Sequence, residues 1–384
     1  MKRKKRKILY ISGTRADYGL IRETLLSIKK SPYLKVEIVA TGMHLMPEFG
    51  ETIKEIVADR FKTYLVKTIY EQDDRRAMVK FIGKFILGLM EKIQSIKPDI
   101  IFVQGDRAEM LGGAIVGTYL GIPIAHSHGG EVTSTIDETA RHAITKLSHI
   151  HLTSTKKSAE RIRKMGEDNW RIFVTGAPGL DVIFKRDLFT EKELAKKYNL
   201  DLSKPKLLVL QHPVTSEIEK SAQQMKETME AIKELKFQTI VIYPSSDPGA
   251  RKMIKVIEEY KKYRFIKIYK NIPHKDYLSL MRIANVLIGN SSSGIIESPS
   301  FKLPVVNIGE RQEGRERANN IIDVGYNKGQ IRKGIQKAIY NKRFGEKVRK
   351  CKNPYGDGKA GSRITDVLNK IRINKKLLQK KITY

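Results

Sequence analysis

Cysteine is nearly missing from this chain: Cys351 is the single one among 384 residues. One thiol leaves no internal disulfide and no cysteine-built metal cluster, and it fits a reducing compartment such as the cytoplasm. No apolar run approaches the ~18 residues that span a bilayer, so no membrane partner is expected. The basic start, MKRKKRK, looks like the front of a secretory signal, but the apolar stretch behind it, Ile8 to Ile11, stops at Ser12-Gly13. That stretch is too short to complete a secretory core. Acidic residues are also scarce, with 42 Asp and Glu against 73 Lys and Arg and a formal net charge of +31.

Such an excess attracts polyanions. The basic residues, however, are spread along helix-like segments among glutamates and concentrate only at the two ends. Neither zinc-finger spacing nor an RNA-binding aromatic strand motif accompanies them. No nucleic-acid partner is expected, and a basic polyanion-binding protein is the alternative from a different functional class.

What is present is a globular composition, 40% hydrophobic and 30% charged, on a chain long enough for two cores. Short β-branched runs alternate with amphipathic stretches, the pattern of βαβ units and parallel sheets. The expected strands of the first half are Lys7–Ser12, Val36–Thr41, Asp99–Gln104, Ile122–His126, His149–Ser154 and Ile172–Thr175. Those of the second half are Lys206–Gln211, Thr239–Tyr243, Phe265–Tyr269, Val286–Gly289 and Val305–Ile308. The stretch from Phe184 to Pro205 between them is charged and strand-free and reads as a hinge. The fold class expected is therefore α/β, with two Rossmann-like domains at 1–185 and 186–384. The last helix, about residues 361–378, is a candidate to pack back on the first domain.

Open parallel sheets bind ligands beyond the carboxyl ends of their strands, and five motifs sit there. Ser12-Gly13-Thr14-Arg15 opens a helix, where free amides and Arg15 can meet phosphate oxygens. Gln104-Gly105-Asp106-Arg107-Ala108-Glu109 places Asp106 where a catalytic carboxylate belongs, with Arg107 able to hold it ionised or reach a ligand. The same spacing also fits Asp106 as a helix cap with Glu109 closing a capping box. His126-Ser127-His128-Gly129-Gly130-Glu131, followed by Asp137-Glu138 and Arg141-His142, gathers groups suited to proton transfer. Its spacing matches no helical zinc motif, so no metal is expected. Gln211-His212-Pro213-Val214-Thr215 leaves His212 at a strand end. Asn290-Ser291-Ser292-Ser293-Gly294, with Glu297 and the later Arg311, offers hydroxyls, helix-start amides and a cation for a pyrophosphate.

Taken in this order, GTRADYG, GDR, HSHGGE, QHP and GNSSSGIIE resemble the UDP-N-acetylglucosamine 2-epimerase family, and its hydrolysing branch most closely. The resemblance runs from about Lys7 to beyond Arg317 and implies an architecture like that of the B-type glycosyltransferases. It places the substrate in the cleft, with the nucleotide held mainly by the second domain. It implies that Asp106 is a catalytic carboxylate, Asp137 a second acidic group and His212 the family histidine. Arg15, Ser291, Ser292, Glu297 and Arg311 match nucleotide-contact positions. Where some members carry a catalytic glutamate, this chain has His128, leaving His128 and Glu131 as the alternatives for that role. The activity implied is hydrolysis of UDP-N-acetylglucosamine to N-acetylmannosamine and UDP through a 2-acetamidoglycal, with no cofactor. UDP-N,N'-diacetylbacillosamine as substrate, or a non-hydrolysing epimerase, are the alternatives. A cytoplasmic homo-oligomer, dimer or tetramer, is expected.

Overall fold

The computed structural model describes residues 5–47, 52–71, 74–132, 136–184, 188–214, 216–245 and 247–384. Residues 1–4 of the basic amino terminus, part of the expected hinge (185–187) and Thr215 lie outside the described residues. Contacts divide the chain into two units, one of residues up to 131, 137–184 and 355–384, the other chiefly of residues 188–354.

The first unit is built on seven parallel strands. They are β1 (Arg6–Ser12), β2 (Leu34–Ala40), β3 (Lys62–Leu65), β4 (Ile100–Gln104), β5 (Ile124–Ser127), β6 (Ile150–Thr153) and β7 (Ile172–Val174), in the order β3-β2-β1-β4-β5-β6-β7. Side chains alternate between two covered faces, as a parallel sheet requires. Ile8, Tyr10, Phe102, Ala125 and Leu152 pack on one face, and Leu9, Ile11, Ile101, Val103 and Ile124 on the other.

The carboxyl-terminal stretch belongs to the first of these cores, contributing Ile364, Leu368 and Leu377. Its helix Ala360–Lys370 lies against the helix Arg15–Lys30, and Asp181 accepts the amides of Ala360 (2.9 Å) and Gly361 (2.6 Å). Farther on, the buried guanidinium of Arg171 donates to the Leu377 carbonyl at 2.7 Å.

The second unit has six parallel strands, β8 (Lys206–Leu210), β9 (Gln238–Ile242), β10 (Ile266–Tyr269), β11 (Val286–Gly289), β12 (Val305–Ile308) and β13 (Ile321–Val324), in the order β10-β9-β8-β11-β12-β13. Val209, Val241, Ile288 and Val306 pack there with Met229, Ile257 and Ile335 from the helices. In both sheets the strand order reverses about the first strand. The switch points are β1/β4 and β8/β11, and loops leaving such a pair diverge and leave a crevice. The five sequence motifs stand at the carboxyl ends of β1, β4, β5, β8 and β11.

Candidate active site

At the end of β1, Thr14 caps the helix Arg15–Lys30 and Asp17 closes the box, accepting the amides of Gly13 (3.0 Å) and Thr14 (2.7 Å). Ser12 also donates its hydroxyl to Asp17, so its oxygen is left to accept from Nε2 of His44 at 2.9 Å. Burial holds the His44 imidazole down to about 4. Arg15, expected to face phosphate, pairs through Nε with Glu55 at 2.6 Å. Gly13 is required here because a Cβ would lie 2.2 Å from Oε1 of Glu109.

That glutamate corrects the capping alternative. The helix after β4 runs Ala108–Tyr119 and its N-cap is Arg107, with no side-chain cap bond. Asp106 therefore does not cap, and Glu109 closes no box. Glu109 is instead buried, accepting from the Tyr70 hydroxyl at 3.0 Å and pairing with Nε of Arg107 at 3.3 Å. Arg107 is thus engaged by a structural carboxylate, while Asp106 is a quarter exposed and bonded to Arg141.

Arg141 is the hub of the first unit's site. It projects from the helix Ile136–Leu147, almost wholly buried, and donates to the Asp106 carboxylate and, at 3.0 Å, to the Glu131 carbonyl. Burial opposes its charge, but Asp106, Glu131 and Asp137 together raise its pKa above the usual value. Three of the expected carboxylates therefore gather around one cation that was not singled out from sequence as a site residue. The signal available was Asp137 and Arg141 four residues apart, on one face of a helix.

The two histidines of the HSHGGE segment part company. His126 is fully buried in β5, its Nε2 facing the Gly105 carbonyl at 2.8 Å and its Nδ1 facing the Thr145 hydroxyl, and burial takes its pKa to about 3. His128 has a left-handed backbone, φ +62°, which costs a non-glycine residue about 1–2 kcal/mol. The Nδ1 atom of His128 meets Oε1 of Glu131 at 2.7 Å and the Ser154 hydroxyl at 3.0 Å. An ionised Glu131 only accepts, so the Nδ1 atom facing it is the donor. Among the described residues Nε2 has no partner, and no group of three His, Cys, Asp or Glu could hold a metal ion.

In the second unit Asn290 organises the end of β11. Its side chain bonds the His212 backbone both ways, accepting at 2.7 Å and donating at 2.9 Å, and its carbonyl accepts from Gln312 (2.8 Å) and Arg311 (3.3 Å). Gly289 at φ +130° makes the approach possible, since a Cβ would lie 2.1 Å from the Leu210 carbonyl oxygen. The ring of His212 accepts at Nδ1 from the Ser245 amide at 3.1 Å, which leaves its proton on Nε2. Ser245 was not found from sequence, although it follows β9 at the same sheet edge.

The serine loop is partly self-satisfied. Ser293 bonds Ser291 (3.0 Å) and Tyr277, and the amides of Gly294, Ile295 and Ile296 serve the carbonyls of Ser291 and Ser292. Ser291 and Ser292 stay partly exposed. Gly294 packs against Val305, and Glu297 is buried at the end of the short helix Ser293–Ile296.

Residues 26–369 match the family model described as UDP-N-acetylglucosamine 2-epimerase. The chain belongs to that family. Among its relatives is the UDP-N,N'-diacetylbacillosamine 2-epimerase (hydrolyzing) of Legionella pneumophila, 39% identical over 376 residues and 98% of each chain. The GDP/UDP-N,N'-diacetylbacillosamine 2-epimerase (hydrolyzing) of Campylobacter jejuni is 36% identical over 83% of this chain and 84% of its own. A UDP-N-acetylglucosamine 2-epimerase of Neisseria meningitidis is 34% identical over 87% of each.

The fold of this epimerase-family chain is also that of solved structures. The crystal structure of UDP-GlcNAc 2-epimerase from Neisseria meningitidis bound to UDP-GlcNAc superposes with a TM-score of 0.81 at 20% identity, covering 95% of this chain and 100% of that one. The Methanocaldococcus jannaschii UDP-GlcNAc 2-epimerase superposes at 0.76 and 21% identity, over 94% and 99%. The expected α/β fold with two Rossmann-like domains is the observed one. Among the described residues no helix is long and apolar enough to cross a membrane.

Proposed function

We propose that this chain is a hydrolysing 2-epimerase of UDP-N,N'-diacetylbacillosamine, releasing UDP and the free C2-epimerised sugar. The substrate choice is carried by the similarity to the Legionella enzyme of that name along 98% of both chains. UDP-N-acetylglucosamine is the second reading, favoured by the family description and the Neisseria relative.

The reaction needs a base to take the C2 proton while the C1–O bond breaks and its electron pair leaves with UDP, giving an acetamidoglycal. Water then adds its hydroxyl at C1 and an acid protonates C2 from the opposite face. Addition follows elimination with no net change of oxidation state, so no redox cofactor is called for. Proton transfer from two sides requires at least two poised groups. Asp106, Glu131, Asp137 and His128 would supply them from the first unit, and His212 from the second.

Arg141 supports the role of the carboxylates, because a buried guanidinium keeps the acids around it ionised and fixed in place. The charge developing on the leaving pyrophosphate would be met by Ser291, Ser292, Ser293, the Gly294 region and Arg311, with Glu297 on ribose hydroxyls. Arg15 and Arg107 would be phosphate contacts of the first unit, although each holds a carboxylate here, Glu55 and Glu109. The test is product analysis with each sugar nucleotide. The expected result is release of UDP together with free manno-configured sugar, faster from the diacetylated substrate. Recovery of both sugar nucleotides unchanged contradicts the proposal.

A further inference from the structure

Gln104 ends β4 and Ser127 ends β5, and the two residues are direct partners across the sheet. Side chains alternate along a strand, so Gln104 shares the face of Phe102 and Ser127 the face of Ala125. Phe102 and Ala125 lie in one core cluster, which puts Gln104 and Ser127 side by side on that same face. Both are buried, 5% and 0% exposed.

Among the described residues the Gln104 side-chain oxygen and the Ser127 hydroxyl have no hydrogen-bond partner, and neither does Nε2 of His128, the next residue along. A buried polar atom left unpaired costs about 1–3 kcal/mol. Three such atoms at adjoining strand ends next to Asp106 are therefore a preformed demand for a polar ligand. The backbone there is firmly set, because Gly105, at φ +77°, donates its amide to the Ser127 carbonyl at 2.9 Å.

We infer that Gln104 and Ser127 form a subsite for an acetamido group of the substrate sugar. The inference rests on the epimerase reading above. A secondary amide presents one N–H and one C=O on opposite edges. The Gln104 oxygen takes the N–H and the Ser127 hydroxyl donates to the C=O, so one group satisfies both strands, which stand about 4.8 Å apart. A sugar hydroxyl would have to bridge that spacing through one atom. The subsite also lies beside the proton-transfer groups, since Asp106 follows Gln104 by two residues and His128 follows Ser127 directly.

The experiment compares Ser127→Ala and Gln104→Met with wild type, measuring kcat/KM on UDP-N,N'-diacetylbacillosamine and on UDP-N-acetylglucosamine, alongside the thermal midpoint. Losing a hydrogen bond between neutral groups is expected to lower kcat/KM about three- to tenfold, with the midpoint unchanged or raised because an unmet buried polar group is removed. The second substrate has no acetamido at C4, so loss confined to the diacetylated substrate assigns the C4 group. Equal loss on both, carried by KM rather than kcat, assigns the C2 group. Either outcome upholds the subsite.

Unchanged kcat/KM on both substrates in folded variants overturns it and means that the pair holds a buried water only. If Gln104→Met does not fold, Ser127→Ala, which deletes a single oxygen, carries the test. A wild-type chain that turns over neither substrate overturns the epimerase reading and the subsite with it. An active wild type with indifferent variants overturns the subsite alone.

Discussion

Arg141 reaches from the first turns of the helix Ile136–Leu147 to the carboxylate of Asp106 just beyond β4, tying the second and third sequence motifs into one electrostatic unit. The guanidinium is buried and forked, so one group binds the Asp106 side chain and the Glu131 backbone together.

Replacing Arg141 by Met leaves a cluster of acids without its cation. Turnover is expected to fall at least a hundredfold, and stability by about 3–5 kcal/mol, the usual cost of removing one partner of a buried pair. Arg141→Lys keeps the charge but cannot serve both acceptors, so it should fall between. The check is kcat/KM against pH with urea unfolding. Removing the cation moves the acid limb of the activity profile to higher pH, whereas a merely structural role lowers the profile without moving it.

Gly13→Ala should destabilise by about 1–3 kcal/mol, because its Cβ would stand 2.2 Å from a buried Glu109 oxygen that Tyr70 and Arg107 hold in place. A thermal melt checks this. Combining the change with Glu109→Ala, which removes the obstructing atoms, should add less than the two single losses together.

Stability should fall as pH drops from 7.5 toward 4. His44, His126 and His149 are held neutral by burial, with values of about 4, 3 and 4, so between those values and the unfolded value near 6.5 only the unfolded chain binds the protons. Glu167 acts in the same direction but in a lower pH window. Burial pushes its carboxyl up, but hydrogen bonds from His151, Lys146 and Lys380 outweigh that and hold it at about 2. Its contribution is present above the unfolded value near 4.3 and is lost only as pH falls toward 2. Urea titrations at pH 7.5 and 5 check the histidine effect, and His126→Asn should flatten the dependence.

Asn290→Ala should raise KM for the sugar nucleotide about tenfold or more and lower stability by about 1–3 kcal/mol. It removes both bonds to the His212 backbone and loosens the loop whose carbonyl receives Arg311 and Gln312. Binding of UDP by calorimetry, beside a thermal melt, separates the two effects.

Much of this was legible in the sequence for a physical reason. Strands buried on both faces read as apolar runs, and the motifs at their ends are continuous in the chain. Eleven of the strands followed from such runs. The other two, Lys62–Leu65 and Ile321–Val324, are short edge strands with half-exposed side chains, the first mostly polar and the second an apolar stretch interrupted by Asp323. Asp106 was readable as a strand-end carboxylate, but whether it caps depended on a helix start at Ala108, a boundary local spacing does not fix.

The parts that stayed hidden are those made by tertiary contact. Arg141 meets Asp106 across 35 positions in sequence, and Asn290 meets His212 across 78. Arg107 looked free to bind a ligand because nothing nearby in sequence shows that Glu109 is buried against it.

The central claim is elimination followed by hydration at C2, and its most direct test is turnover of UDP-N,N'-diacetylbacillosamine in deuterated water, read by NMR of the sugar released. The account predicts free manno-configured sugar with one deuterium at C2, and UDP in equal amount. Released sugar that keeps its C2 proton and its original configuration would contradict it, because simple hydrolysis at C1 would then explain the products.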